Sequence, residues 1–139
     1  MSTEKNKTIT RRYLEELWNQ NNLAVIEEIL APDVVGHVAG RTIRGADVIR
    51  QRAQKLREVY SDVRFTVEDQ IAEGDKALVR WTFRGVHRGE FMGAPATGKE
   101  VVATGMNLFR LEGGKIAELW VESDDLGELQ QLGVVQLPE

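Results

Sequence analysis

The sequence of 139 residues contains no cysteine, which excludes disulfide bonds, thiolate catalysis and cysteine-based zinc sites. Its two histidines, His37 and His87, lie far apart in the chain, and their positions show no metal-ligand spacing. Only three prolines are present, and no stretch rich in proline, glycine or serine divides the sequence as a linker would. We therefore expect a single domain that spans residues 1–139.

The chain also lacks an excess of positive charge and a long apolar run. Its 18 basic and 22 acidic residues give a net charge of −4, so it offers no basic surface to a nucleic-acid backbone. The N-terminal residues are polar, and no segment approaches the roughly 20 apolar residues of a membrane span. We expect a cytoplasmic protein that binds neither nucleic acid nor membrane.

The first half of the sequence has the periodicity of helices. A first helix is predicted by apolar residues at helical spacing: Ile9, Tyr13, Leu14, Leu17 and Trp18. A second, short helix follows the break at Asn21-Asn22, and a third runs from about Ala46 to Tyr60. Residues 33–39 form a short extended run between the second and third helices.

The second half alternates with the period of strands. It predicts one hairpin that turns at Gly74-Asp75 and another that turns at Gly113-Gly114. The first turn sets Asp69 opposite Arg80. Helices followed by antiparallel strands indicate an α+β domain, in which a curved sheet can wrap around the helices and leave a conical cavity.

The last predicted strand lies in the stretch KIAELWVESDD, residues 115–125. Leu119 and Val121 share one face of it, which we expect to point into the cavity. A two-residue turn at Gly113-Gly114 would set Leu108 opposite Leu119 and Met106 opposite Val121. This register predicts that Trp120 and Phe109 lie on the outer face.

Two stretches of the sequence resemble a known family. They are H-x-G-x-F-x-G-x-P-x-T-G-K at His87 to Lys99 and F-R-x-x-x-G-K-I at Phe109 to Ile116. With the order of elements, they make essentially the whole chain similar to the SnoaL-like polyketide (ester) cyclases of the NTF2-like superfamily. The resemblance implies a cone in which a curved, mainly antiparallel sheet wraps three N-terminal helices. It also implies a deep apolar pocket, a homodimer, and no metal or cofactor.

The resemblance also implies a chemistry. The best-known family members close a ring by intramolecular aldol condensation, using a carboxylate in a His-Trp-Asp stretch of the last strand. An apolar pocket raises the pKa of such a carboxylate into the range useful for proton transfer. The matching residues here are Leu119, Trp120 and Val121, so the expected proton-transfer groups are missing.

Three interpretations stay open. The protein is an enzyme whose chemistry has moved to His37, His87 or Asp124, a binding protein that retains an apolar ligand, or an enzyme acting by shape and exclusion of water. A mechanism like that of limonene-epoxide hydrolase would need an Asp/Arg/Asp set, of which Asp69 and Arg80 offer a part. We expect a small polyketide-like or other apolar carbonyl compound to be bound by seven residues: Tyr13, Trp18, Trp81, Phe91, Met106, Leu119 and Val121.

Overall fold

The computed structural model describes residues 2–138, which form four α-helices and six strands. The helices are α1 (Thr3–Arg12), α2 (Ile26–Ile29), α3 (Ala46–Val59) and α4 (Asp125–Gln131). The strands are β1 (Leu30–Val38), β2 (Arg41–Arg44), β3 (Tyr60–Glu73), β4 (Lys76–His87), β5 (Glu100–Glu112) and β6 (Lys115–Ser123). A π-helical segment, Tyr13–Asn19, continues α1, and a 3₁₀ turn, Leu23–Val25, precedes α2.

The first predicted helix is confirmed in position, but its second half is π-helical. The Ser2 side chain caps α1 by accepting a hydrogen bond from the backbone N–H of Lys5 at 3.1 Å. At the other end, the Arg57 guanidinium donates to the carbonyls of Trp18 and Asn19. Because these bonds satisfy carbonyls that a helix end leaves without partners, they hold the wide π turn against α3.

The six strands form one curved, mixed sheet that does not close, in the order β2-β1-β6-β5-β4-β3. All neighbouring strands are antiparallel except β1 and β6, which are parallel. Both predicted hairpins are confirmed. Gly113 and Gly114 have φ angles of +59° and +82°, as the tightest hairpin turns require. Asp69 pairs with Arg80, as predicted.

The second hairpin begins in the predicted register and then shifts by one residue. Glu112 pairs with Lys115, but Arg110 pairs with Glu118, so Ala117 is an additional residue on β6. This is a β-bulge, and every pairing beyond it moves by one position. Strict alternation of residues does not reveal such an insertion.

The shift corrects three predictions about β5, which concern Phe109, Met106 and Leu108. Phe109 faces Leu119 across the ladder and is fully buried, so the prediction that it lies on the outer face is wrong. Met106 pairs with Glu122 instead of Val121 and is 46% exposed on the convex face. Leu108 pairs with Trp120, also on that face. The prediction that Leu119 points inward is confirmed, because its side chain is fully buried.

The core lies between the concave face of the sheet and the helices. Its fully buried side chains come from both layers: Leu14, Leu17, Ile26, Ile29, Leu30, Ile49, Phe109, Ile116 and Leu119. Burying each such side chain contributes about 1.5–3 kcal/mol. Among residues 2–138, no helix combines the length and the apolar character that crossing a bilayer requires.

Candidate ligand cavity

A cavity of about 180 Å³ lies between the concave face of the sheet and the π-helical segment. Its walls are mainly apolar, and its mouth is polar. The apolar wall includes Leu14, Trp18, Val38, Ile49, Leu56, Phe65, Trp81, Phe83, Ala103, Leu119 and Val121. Arg52, Ser123, Asp125 and Glu128 supply charged and polar groups.

Aromatic rings pack against one another along one wall of the cavity. Phe65 contacts Trp81 edge-on with ring centroids 5.2 Å apart, and it lies 5.1 Å from Phe83 and 5.9 Å from Trp18. Such pairs contribute about 0.5–1.5 kcal/mol each beyond the burial of their area. The rings therefore fill much of the cone and leave a small space.

The position of Trp81 depends on two neighbours on β5. A Cβ atom on Gly105 would lie 2.3 Å from Cζ2 of Trp81, so the indole rests directly on the glycine backbone. The Trp81 Nε1–H donates to Oδ1 of Asn107 at 3.0 Å. Because this indole can only donate, it orients the Asn107 amide. Asn107 lines the cavity, and the remaining group of its amide, Nδ2, is a hydrogen-bond donor.

Gly105→Ala is expected to lower the free energy of unfolding by about 1–3 kcal/mol, because the added methyl group overlaps Trp81 and lies 2.9 Å from the carbonyl oxygen of Glu122. Urea denaturation measures the loss of stability, and the near-UV circular dichroism of the tryptophans reports the displacement of the Trp81 ring. Thr104→Ala, on the exposed face of the same strand, should change stability by no more than about 0.5 kcal/mol. Equal stability of the two variants would contradict this account of Trp81.

A carboxylic acid, Glu128 of α4, lies at the mouth of the cavity. Burial raises the pKa of Glu128, and the neighbouring charge of Asp125 raises it further, while a hydrogen bond from Tyr60 opposes the shift. The Tyr60 O–H donates that bond to Oε2 of Glu128. Asp125 is more exposed, and its Oδ1 accepts a bond from the Ser123 hydroxyl at 2.7 Å. The cavity therefore has a titratable group, although β6 supplies none.

Helix α4 is attached to the sheet by its last turn. The side-chain amide of Gln131 bonds both backbone groups of Val102, donating to the carbonyl at 2.8 Å and accepting from the N–H at 2.9 Å. Leu132, directly after the helix, is only 4% exposed. These contacts and the Tyr60–Glu128 bond hold the helix over the cavity mouth.

Two further polar groups face the cavity. Burial raises the pKa of Tyr13 to about 12, so its phenol stays a neutral hydrogen-bond donor at neutral pH. Arg52 of α3 is exposed at the mouth. Within residues 2–138, no carboxylate lies close enough to Arg52 to form a salt bridge.

Five of the seven residues expected to bind the ligand line this cavity: Tyr13, Trp18, Trp81, Leu119 and Val121. Two do not. Met106 points from the convex face because of the bulge at Ala117. Phe91 belongs to the loop after β4, where its backbone pairs with Ala94 and its side chain borders a groove beside the end of α3.

None of the three predicted catalytic residues lines the cavity. His37 lies on the convex face, where its ring stacks on Trp120 at 5.3 Å and Nε2 lies 2.7 Å from Oε2 of Glu118. The hydrogen bond with His37 is the main cause that lowers the pKa of Glu118. Asp124 caps α4 by accepting a bond from the N–H of Gly127 at 2.9 Å.

His87 is fully buried on β4 and lies beyond the cavity wall. Its Nδ1 accepts a hydrogen bond from the backbone N–H of Thr97 at 3.2 Å, so a ring proton lies on Nε2. No partner for Nε2 exists among residues 2–138. The observed contacts of His87 hold the loop between β4 and β5, and a catalytic role for it stays a prediction.

The partial Asp/Arg/Asp set considered from the sequence lies away from the cavity. Asp69 and Arg80 approach to 3.9 Å, but both side chains are exposed on the convex face. Among residues 2–138, no three His, Asp or Glu side chains converge as the ligands of a metal ion would. The patterns in the sequence did not identify Glu128. Its only signal is the pair of acidic residues, 125 and 128, at helical spacing.

A family model described as SnoaL-like polyketide cyclase matches residues 8–132, and no curated protein matches. IdmH from Streptomyces antibioticus, to which a polyketide cyclase activity is ascribed, is 33% identical, with a TM-score of 0.80 over 94% of this chain and 99% of its own.

Two other solved structures are more similar in fold. TsrD from Streptomyces laurentii is 27% identical, with a TM-score of 0.88 over 97% of this chain and 99% of its own. AclR from Streptomyces galilaeus, to which a hydroxylase activity is ascribed, is 26% identical, with a TM-score of 0.87 over 97% of this chain and 100% of its own. The α+β cone predicted from the sequence is confirmed.

Proposed function

This chain belongs to the SnoaL-like polyketide cyclase family, and we propose that it binds a small apolar carbonyl compound in the cavity. We further propose that Glu128 removes a proton from the carbon beside the carbonyl group, without a metal or cofactor. The activities ascribed to relatives differ, a polyketide cyclase for IdmH and a hydroxylase for AclR. The proposal therefore rests on the groups around this cavity and not on the activities of relatives.

The observation that carries it is the position of Glu128, a half-buried carboxyl at the mouth of an apolar cavity. A general base works best when its pKa lies near the working pH, and burial moves the pKa of Glu128 in that direction. In the proposed step the C–H bond breaks and the proton passes to the Glu128 carboxylate. The electron pair moves through the new C=C bond to the carbonyl oxygen, which becomes an enolate.

An enolate oxygen needs hydrogen-bond donors, and the cavity offers two. Nδ2 of Asn107 borders the space, and the Tyr13 phenol is neutral at working pH. Donors placed where negative charge develops are among the strongest contributions to enzyme catalysis. Asn107 is held by its bond to Trp81, so its amide does not need to reorient during the reaction.

A second function, retention of an apolar ligand without reaction, is favoured by Leu119 and Val121 on the cavity wall of β6. Phenylacetone in D₂O distinguishes the two functions. If the protein transfers protons, NMR will show accelerated exchange of the benzylic α-protons for deuterium. Ligand resonances that change on binding without accelerated exchange would favour retention and contradict the catalytic proposal.

We also propose that the protein is a homodimer through its convex face. Four apolar residues, Ile71, Leu78, Leu108 and Trp120, follow one another across four adjacent strands, and Ile71 is 61% exposed. An apolar row of this length on a sheet surface is typical of an interaction surface. A second copy, related by a two-fold axis, would offer the same row to cover it.

Leu78→Lys is expected to convert a dimer into a monomer, because it places a charge in the middle of the apolar row. Light scattering measures the mass. Met92→Lys is the control, since Met92 is 65% exposed in the loop after β4, away from the row, and should leave the mass unchanged. A mass of one chain for the unmodified protein at working concentration would refute the dimer.

A further inference from the structure

The volume of the cavity limits the size of its ligand. An engineered protein cavity of about 150 Å³ holds benzene, whereas pockets for drug-sized ligands measure about 300–1,000 Å³. At about 180 Å³, this cavity has room for one six-membered ring with a few substituent atoms. A fused second ring does not fit unless the wall moves.

Trp81 forms one wall of the space. Its indole rests on Gly105, donates to Asn107, and contacts the edge of Phe65. Moving the ring outward is prevented by the backbone beneath it, and moving it inward closes the cavity. Rotation in either direction breaks the bond to Asn107. The wall is therefore a fixed boundary and not a flexible side chain that adapts to larger ligands.

The polar groups set the second requirement. Nδ2 of Asn107 and the Tyr13 hydroxyl are donors, and the side chain of Asn107 is only 4% exposed. A ligand with an acceptor oxygen gains a hydrogen bond from these donors, which a hydrocarbon ligand does not. The remaining surface of the ligand contacts aromatic and aliphatic side chains.

We propose that the substrate is a monocyclic carbonyl compound and that Trp81 excludes compounds with two or three fused rings. This inference rests on the proposed function, because it concerns the same cavity and the same carbonyl group. It narrows the substrate class beyond what family membership implies, and it makes Trp81 the residue that determines specificity for size.

Three methyl ketones with one, two and three fused rings test the proposal: acetophenone, 1-acetonaphthone and 9-acetylanthracene. Isothermal calorimetry with the unmodified protein should show binding of acetophenone. The dissociation constant of 1-acetonaphthone should be higher by about tenfold or more, and 9-acetylanthracene should not bind. Transfer from water favours the larger rings, so this order would run against the hydrophobic trend and indicate exclusion by the wall.

Trp81→Leu should lower the dissociation constant of 1-acetonaphthone by about tenfold while changing that of acetophenone by no more than about threefold. Trp81→Phe, a smaller change, serves if the leucine variant does not fold, and it should shift the preference in the same direction. Thr104→Ala, on the exposed face of β5, is the control and should leave all three dissociation constants unchanged.

The outcomes separate this inference from the proposed function. Binding that strengthens with ring number in the unmodified protein would overturn size exclusion and leave the carbonyl-binding function standing. A preference for the single ring that Trp81→Leu and Trp81→Phe both fail to alter would overturn the role of Trp81. If none of the three ketones binds, the proposed function and this inference both fail. Discrimination by size without proton exchange would refute only the catalytic step.

Discussion

Glu128→Gln is expected to slow the exchange of the benzylic protons of phenylacetone by about 10²–10⁴-fold, the usual contribution of a positioned general base. The amide keeps an oxygen that can accept the hydrogen bond from Tyr60, but it cannot take a proton. Binding depends on the apolar wall and should change little. Exchange rates from NMR and dissociation constants from calorimetry measure the two quantities separately.

Glu122→Gln is the matched control, since Glu122 is an exposed carboxylate on β6 that pairs with Met106 on the convex face. The rate at which this variant exchanges the benzylic protons of phenylacetone should equal that of the unmodified protein. If the two variants lose activity equally, or neither loses any, Glu128 is not the base. Loss in Asp125→Asn alone would instead assign the proton transfer to the more exposed carboxyl at the mouth.

The pH dependence of the exchange rate follows from the ionisation state in which Glu128 acts. The base is the ionised carboxylate, so the exchange rate should rise as pH increases through the pKa of Glu128. Burial raises that pKa, so the midpoint should lie above about 4.3, the ordinary value for glutamate. The Gln variant should lose this step from its pH profile.

The same raised pKa makes stability fall as pH rises, whereas it makes the exchange rate increase. Folded Glu128 holds its proton more tightly than it does in the unfolded chain, so its contribution to the free energy of unfolding is fully present below the unfolded pKa. That contribution is lost as pH rises through the folded pKa. Glu128→Gln cannot ionise, and its stability should fall less than that of the unmodified protein over this interval.

Phe109→Ala should have the largest effect on stability, lowering the free energy of unfolding by about 3–5 kcal/mol. The ring is fully buried, and its centroid lies 5.2 Å from that of Tyr13 in an edge-on contact. Removing it leaves a cavity between β5 and the π-helical segment, which the surrounding side chains fill only in part. Urea denaturation gives the free energy.

Met106→Ala is the control for this prediction, because it lies on the same strand and points from the convex face. It should change stability by no more than about 0.5 kcal/mol. The register inferred from alternation alone predicts the reverse order, with Met106 buried and Phe109 exposed. The comparison therefore tests the β-bulge at Ala117 directly.

Local patterns in the sequence predicted most of the elements correctly. The third helix was expected from about Ala46 to Tyr60 and is observed at Ala46–Val59. The turns at Gly74-Asp75 and Gly113-Gly114 were both located, because few residues other than glycine adopt the required backbone angles. These signals depend on neighbours within a few positions, so a single sequence contains them.

The sheet required more than local patterns. Residues 33–39 were recognised as extended, but the parallel pairing of β1 with β6 joins segments about eighty positions apart, such as His37 and Trp120. The bulge at Ala117 was not predicted, because an inserted residue fits the sequence pattern as well as a regular strand does. Because of this bulge, Asn107 of β5 faces the cavity and Met106 does not.

Local patterns in the sequence are sufficient for the α+β class, the two hairpins, the apolar face of β6 and the absence of a titratable residue at positions 119 and 121. The place where a titratable group replaces them depends on contacts between distant segments. Packing of α4 across the sheet brings Glu128 to the cavity mouth and Tyr60 beside it, although these residues are 68 positions apart. The volume of the cavity likewise depends on how Trp81 rests on Gly105, because the space among packed rings is set by contacts between strands and not by the order of residues within one strand.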